Sequence, residues 1–170
     1  MQDLGQRARW ITDQLFNLGN LDAARTCAPD FLGHLPDYPD AHGPDGLAEF
    51  VRGLRTSFPD FGHKVHVSVW EGDQVFLRSS LTGTQRGEFL GIPPTNLPVL
   101  MSEMLWLRFD ADGRLAELWR ETNPVAALDQ IGVVPPDGVG PAGRFGHTLK
   151  TVARLAALTA RQQLAQRRSA

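Results

Sequence analysis

Glu103 and Arg120 are the residues of this chain whose types and placement best suit chemistry. They lie on two successive stretches, residues 99–109 and 114–123, that alternate in strand fashion around the turn Asp110-Ala111-Asp112-Gly113. Pairing Phe109 with Arg114 sets Glu103 opposite Arg120. A register two residues away sets Leu105 opposite Arg120 and leaves the faces unchanged. One face then carries Met101, Glu103, Leu105, Leu107, Leu118, Arg120 and Thr122. The other carries Ser102, Met104, Trp106, Arg108, Glu117, Trp119 and Glu121. A permanently charged guanidinium can clamp a carboxylate, phosphate or enolate, or hold developing negative charge. A nearby carboxylate can act as a base, its pKa raised by apolar neighbours and lowered by the arginine. The same two residues can equally form an ion pair that only fixes strand register.

His34 is a second candidate, because an ordinary histidine pKa of about 6.5 suits proton shuttling. In its proline-rich surroundings it can also be a surface or capping residue. His42, His63, His66 and His147 have no metal-ligand spacing, and Cys27 stands alone. No metal and no organic cofactor is expected, and Cys27 reads as a small buried side chain in a helix.

The elements that must position these groups follow from periodicity. Residues 6–18 read as an amphipathic helix through Trp10, Ile11, Gln14, Leu15 and Leu18, and residues 21–28 as a short second one ended by Pro29. Gly43-Pro44-Asp45-Gly46 opens a third helix, with Leu47, Phe50, Val51, Leu54 and Phe58 on one face. Four strands are expected over residues 63–70, 74–84, 99–109 and 114–123. In the first of them Val65, Val67 and Val69 alternate with His66, Ser68 and Trp70. A short helix follows from Pro124 to about Ile131, which Gly132 ends. Helices followed by an antiparallel run make an α+β domain over residues 1–134. Residues 135–146 form a Pro/Gly-rich linker, and residues 147–170 a basic amphipathic C-terminal helix with Leu149, Val152, Leu155, Ala156 and Leu158 near one stripe.

The chain has 170 residues and a net charge of -2, which gives no global pull toward nucleic acid. No apolar run approaches the roughly 20 residues that span a bilayer. Residues 1–7 lack a basic segment before an apolar block, so a cytoplasmic location is expected. The tail helix is expected to pack on its own body or on a dimer partner rather than on a membrane.

The pattern TGTxxGxFxGxPPT over residues 82–95 is far more specific than a lone glycine motif. With Phe58-Pro59-Asp60 and Asp112-Gly113-Arg114-Leu115-Ala116-Glu117-Leu118-Trp119, it resembles the SnoaL-like polyketide cyclases of the nuclear-transport-factor-two-like superfamily, over roughly residues 6–134. The resemblance implies a cone-shaped barrel, a curved antiparallel sheet packed on three N-terminal helices, and a pocket lined by the Glu103 face. It implies ring-closing acid–base chemistry on polyketide esters without metal or cofactor. In such cyclases an aspartate directly follows the last-strand tryptophan, a histidine or aspartate faces it, and a second pattern has an aspartate four residues on. These positions hold Arg120, Leu105 and Asn123. Two functions therefore stand side by side. One is an enzyme with rearranged groups Glu103, Arg120 and His34, acting on a small hydrophobic, carbonyl-bearing, anionic or polyketide-like molecule. The other is a binding or accessory protein that has lost the acid–base residues. Trp10, Met101, Leu105, Leu107, Leu118, Thr122 and Asn123 are the expected ligand contacts. Trp106 and Trp119 on the outer face suggest a homodimer interface.

Overall fold

The computed structural model describes residues 3–36 and 38–169. Met1, Gln2, Asp37 and Ala170 fall outside the described residues, so the first two N-terminal residues, the centre of the proline-rich turn and the last tail residue do too. Helix α1 spans Leu4–Thr12, capped where the Asp3 carboxylate accepts from the Gln6 amide at 3.0 Å. It widens into a π-helical turn, Asp13–Asn17. The wider turn brings Phe16 into the core and leaves Leu18 outside, although a uniform helical period points Leu18 inward.

Residues 21–28 do not form an α-helix. A 3-10 turn covers Leu21–Thr26, and strand β1 runs Cys27–His34. Cys27 is buried at the start of that strand rather than in a helix, and burial pushes its thiol up to about 12. A two-residue strand β2, Ala41–His42, precedes α2, Gly43–Ser57, whose Leu47, Phe50, Val51 and Leu54 are buried.

Strands β3 (Gly62–Glu71), β4 (Gln74–Thr84), β5 (Pro98–Phe109) and β6 (Leu115–Thr122) form an antiparallel run. The curved, unclosed sheet has the order β2-β1-β6-β5-β4-β3, with β1 parallel to β6. Helix α3, Pro124–Gln130, and the long α4, Pro141–Ser169, complete the chain. The tail helix thus begins at Pro141, six residues before 147 and inside residues 135–146, whose Pro/Gly content predicts a linker. No described helix is long and apolar enough to cross a membrane.

Two local features decide which side chains point inward. A bulge between Val65 and Val67 reverses the parity of β3, so Val67 and Val69 emerge on the outer face, 42% and 58% exposed. At the β5–β6 turn, the Asp110 carboxylate accepts from the amides of Asp112 and Arg114, at 2.9 and 2.8 Å. Arg114 is therefore consumed by the turn. The register is the second of the two expected, with Leu105 opposite Arg120 and Glu103 opposite Thr122.

The TGTxxGxFxGxPPT loop folds around the buried side chain of Gln85. Its amide nitrogen donates to the carbonyls of Gly87, Ile92 and Pro93 at 3.2, 3.0 and 3.1 Å, and its oxygen accepts from the Thr95 hydroxyl at 2.6 Å. Phe89 plugs the core against Phe58, ring centroids 5.0 Å apart. A Cβ at Gly87 would lie 2.2 Å from the Thr56 carbonyl oxygen, so the close approach of loop and helix demands glycine.

Candidate active site

The inner face of the sheet carries a closed charge cluster. Glu103 on β5 and Arg120 on β6 are diagonal neighbours, and Arg120 Nε donates to Glu103 Oε1 at 2.8 Å. His63, opening β3, places Nε2 2.9 Å from Glu103 Oε2. The side chains are 1%, 3% and 1% exposed for Glu103, Arg120 and His63. Both carboxylate oxygens are therefore engaged without water. A His63 protonated on Nε2 fits this geometry, since that nitrogen then donates to the carboxylate.

His63 and Arg120 are also held from outside the cluster. Asn17, on the π-helical turn, accepts from the His63 amide at 2.7 Å and donates to its carbonyl at 2.9 Å. The Phe16 ring packs 5.2 Å from the imidazole, and the Arg120 guanidinium lies 5.4 Å from the centre of the Phe50 ring. A groove of about 340 Å³ between α1 and β3, bordered by Arg9, Asp13, Asn17 and Lys64, reaches His63. Ser79 lies beside Glu103 in the β4–β5 register, and its buried hydroxyl has no partner among the described residues. Arg7 Nε and the Ser68 hydroxyl are buried and unpartnered in the same sense. Such groups cost free energy unless something meets them.

Met101, Leu105, Leu107 and Leu118, the apolar residues expected to line the site, are all buried on the inner face. Thr122 stands across from Glu103. Asn123 caps α3, its side-chain oxygen accepting from the Ala126 amide at 3.3 Å. Trp10 is exposed on α1 with the Arg7 guanidinium 4.8 Å from its ring centre.

His34 is not part of this cluster. Paired with Trp119 in the β1–β6 register, it points to the outer face, where its ring stacks on that indole at 3.8 Å. Its Nε2 meets Glu117 at 3.3 Å and its Nδ1 meets Asp40 at 3.6 Å. The structure thus brings Glu103 and Arg120 together, and His63 occupies the place foreseen for His34. Phe61, His63 and Val65 share one strand parity, all at least partly buried, and that was the available signal. The partner 40 residues away gave none.

On the outer face, Trp106 donates to Gln74 at 2.9 Å, and Val67, Val69, Phe76, Met104 and Trp119 are exposed around it. Glu117 there accepts from Trp119 Nε1 at 3.0 Å and from two nitrogens of Arg108. The tryptophan hydrogen bond first, then the arginine, hold its carboxyl below the usual carboxylate range. A depressed folded pKa contributes stability above the unfolded value of about 4.3, lost as pH falls through the folded value. The unfolding free-energy difference between wild type and Glu117→Gln is therefore expected to be largest near neutrality and to shrink on acidification. Urea titrations across that range check it, and a difference independent of pH would refute it.

The geometry can be set beside known proteins. No curated protein matches the chain significantly. Among solved structures, IdmH of Streptomyces antibioticus, a candidate polyketide cyclase, is 30% identical with a TM-score of 0.66, covering 78% of this chain and 100% of that one. AclR of Streptomyces galilaeus, a candidate hydroxylase, is 25% identical with a TM-score of 0.68, covering 78% and 98%. A candidate SnoaL-like polyketide cyclase from Jannaschia is 26% identical with a TM-score of 0.67, covering 80% and 98%. The family model for SnoaL-like polyketide cyclase matches residues 6–131, most of the chain and all three residues of the charge cluster. On that match and this fold, the chain belongs to the SnoaL-like polyketide cyclase family.

Proposed function

We propose that the protein binds a small hydrophobic, carbonyl-bearing molecule of polyketide type in its cone, and that His63, Glu103 and Arg120 handle its oxygen. The observation that carries this reading is a buried histidine–carboxylate–guanidinium cluster on the inner face, beside the unpartnered hydroxyl of Ser79. Glu103, backed by His63, takes a proton from a carbon next to one carbonyl; that carbon attacks a second carbonyl carbon of the same molecule to close the ring, and the proton returns to the alkoxide oxygen that results. Arg120 holds the negative charge that develops on the enolate oxygen. In this reading the acid–base carboxylate has moved from the Arg120 and Asn123 positions to residue 103. Ligand entry requires Phe16 and the π-helical turn to shift, because the cluster is shielded from water as it stands.

A second reading is favoured by the full mutual satisfaction of the cluster. Here the three residues fix the fold, and the protein binds its ligand without chemistry. Incubation of wild type and Glu103→Gln with an aromatic polyketide ester separates the two. The catalytic reading expects ligand-induced thermal stabilisation of both proteins and ring-closed product from wild type alone. Stabilisation of both without product under any condition would leave the binding reading. No stabilisation of either protein would refute both.

A further inference from the structure

We propose that α4 is a docking helix for an anionic phospholipid surface, lying in the plane of its headgroups. The inference does not depend on the chemistry assigned to the cone.

The side of the helix turned to the protein carries Thr151 and Arg154, with Leu155 and Leu158 half-buried beside them. Arg154 Nη2 donates to the carbonyl oxygens of Ile131 and Gly132 at 2.6 and 3.1 Å, and the Thr151 hydroxyl to that of Gly132 at 3.4 Å. These carbonyls lie at the C-terminal end of α3, where a cation is favoured. The opposite side is apolar and outward. Phe145, Leu149, Val152 and Ala156 recur at spacings of four, three and four, which is one helical stripe. The three larger ones are 67%, 56% and 60% exposed, and Leu164 is 56% exposed. Covering its own core accounts for Leu155 and Leu158 but leaves this second, outward stripe uncovered.

Charge selects the occupant. Residues 141–169 contain six basic residues, Arg144, Lys150, Arg154, Arg161, Arg167 and Arg168, and no acidic one. Pairing with the same helix of a second copy would bring six cations against six, with no acid to offset them. An anionic bilayer supplies both an apolar layer for the stripe and negative charge for its flanks. Long basic side chains reach outward while their stems stay in the apolar layer. The rest of the chain, with 11 basic against 19 acidic residues, offers no general attraction to such a surface. Binding therefore has to come from the tail. The segment between α3 and α4, with Pro135, Pro136, Gly138 and Gly140, supplies the separation.

The test is co-sedimentation of the full chain with vesicles of phosphatidylcholine alone or mixed in equal parts with phosphatidylglycerol. We expect pelleting with the anionic vesicles, at least about tenfold weaker binding to the neutral ones, and release as salt is raised. The double variant Leu149→Glu/Val152→Glu, both sites exposed, is expected to keep the wild-type unfolding midpoint and lose the anionic vesicles. Failure of wild type to pellet with them at low salt overturns the proposal, as does retained pelleting of the double variant. A concentration-dependent oligomer that the double variant dissolves, without vesicle binding by wild type, would assign the stripe to a second copy and overturn it too.

Discussion

Replacing Glu103 with leucine is expected to destabilise the fold by about 3–5 kcal/mol, because it strands a buried guanidinium. Arg120 Nε and His63 Nε2 would both lose their acceptor, in a site with 1–3% side-chain exposure. Neither can turn to water without opening the packing around Phe16 and Phe50. Most of the loss should return when Arg120→Met is added, since two apolar residues leave no unpaired charge behind. Equilibrium urea unfolding of wild type, the single variant and the double variant measures this directly. A single-variant loss below about 1 kcal/mol would mean that water or another acceptor reaches Arg120, and the closed cluster described above would be wrong. The double variant has a second use. If it folds as well as wild type and yields no product from a substrate that wild type converts, the cluster serves chemistry rather than stability.

The second large effect is expected at Gln85. Its side chain bridges Gly87, Ile92, Pro93 and Thr95, four points on a loop with little secondary structure of its own. Gln85→Leu keeps the bulk and removes both amide functions. Three carbonyls and the Thr95 hydroxyl would then lose a buried partner, at an expected cost of about 3 kcal/mol. The loop should also open locally before the sheet does, since only the Phe89–Phe58 contact, the bonds of residues 86–88 to Ser57 and the backbone bonds of Gln85 to Asn96 and Leu97 would still tie it down. Urea unfolding gives the global loss, and limited proteolysis between residues 86 and 97 gives the local one. An unchanged midpoint with no new cleavage would show that the loop does not depend on this side chain. The Gln85 core also explains the TGTxxGxFxGxPPT spacing physically. Gly87 passes close to the α2 backbone, Phe89 is buried, and Gly91, at φ +75°, takes the turn that returns the chain to Gln85.

Most of the fold was legible because most of its instructions are local. Alternation and turn residues give β4, β5 and β6 to within a residue or two, and Pro44 in the first turn marks α2. Which side chains of the β5–β6 hairpin share a face was readable too, since a two-residue change of register does not alter side-chain parity, and the family resemblance indicated which face is the inner one. What failed depended on distant partners. Strand β1 contains Pro29 and Asp30, poor strand formers, and exists because β6, more than 80 residues later, pairs with it in parallel. The β3 bulge inverted a parity that a clean valine alternation had implied. The apolar residues of α4 were visible, but not that they divide between a side turned to the protein, with Leu155 and Leu158 half-buried, and an outward one with Leu149 and Val152.

The site divides in the same way. By itself, the sequence determined that a carboxylate and a guanidinium share one face of a hairpin. It also determined that Trp106 and Trp119 share the other, because a turn and period-two alternation suffice for both. Only the tertiary structure decided which histidine joins Glu103. His34 and His63 sit on strands at different places in one sheet. The parallel β1–β6 register turns His34 outward onto Trp119, while the Asn17 clamp holds His63 inward. Each of those contacts joins residues 46 or more positions apart, and no local preference of the backbone encodes them.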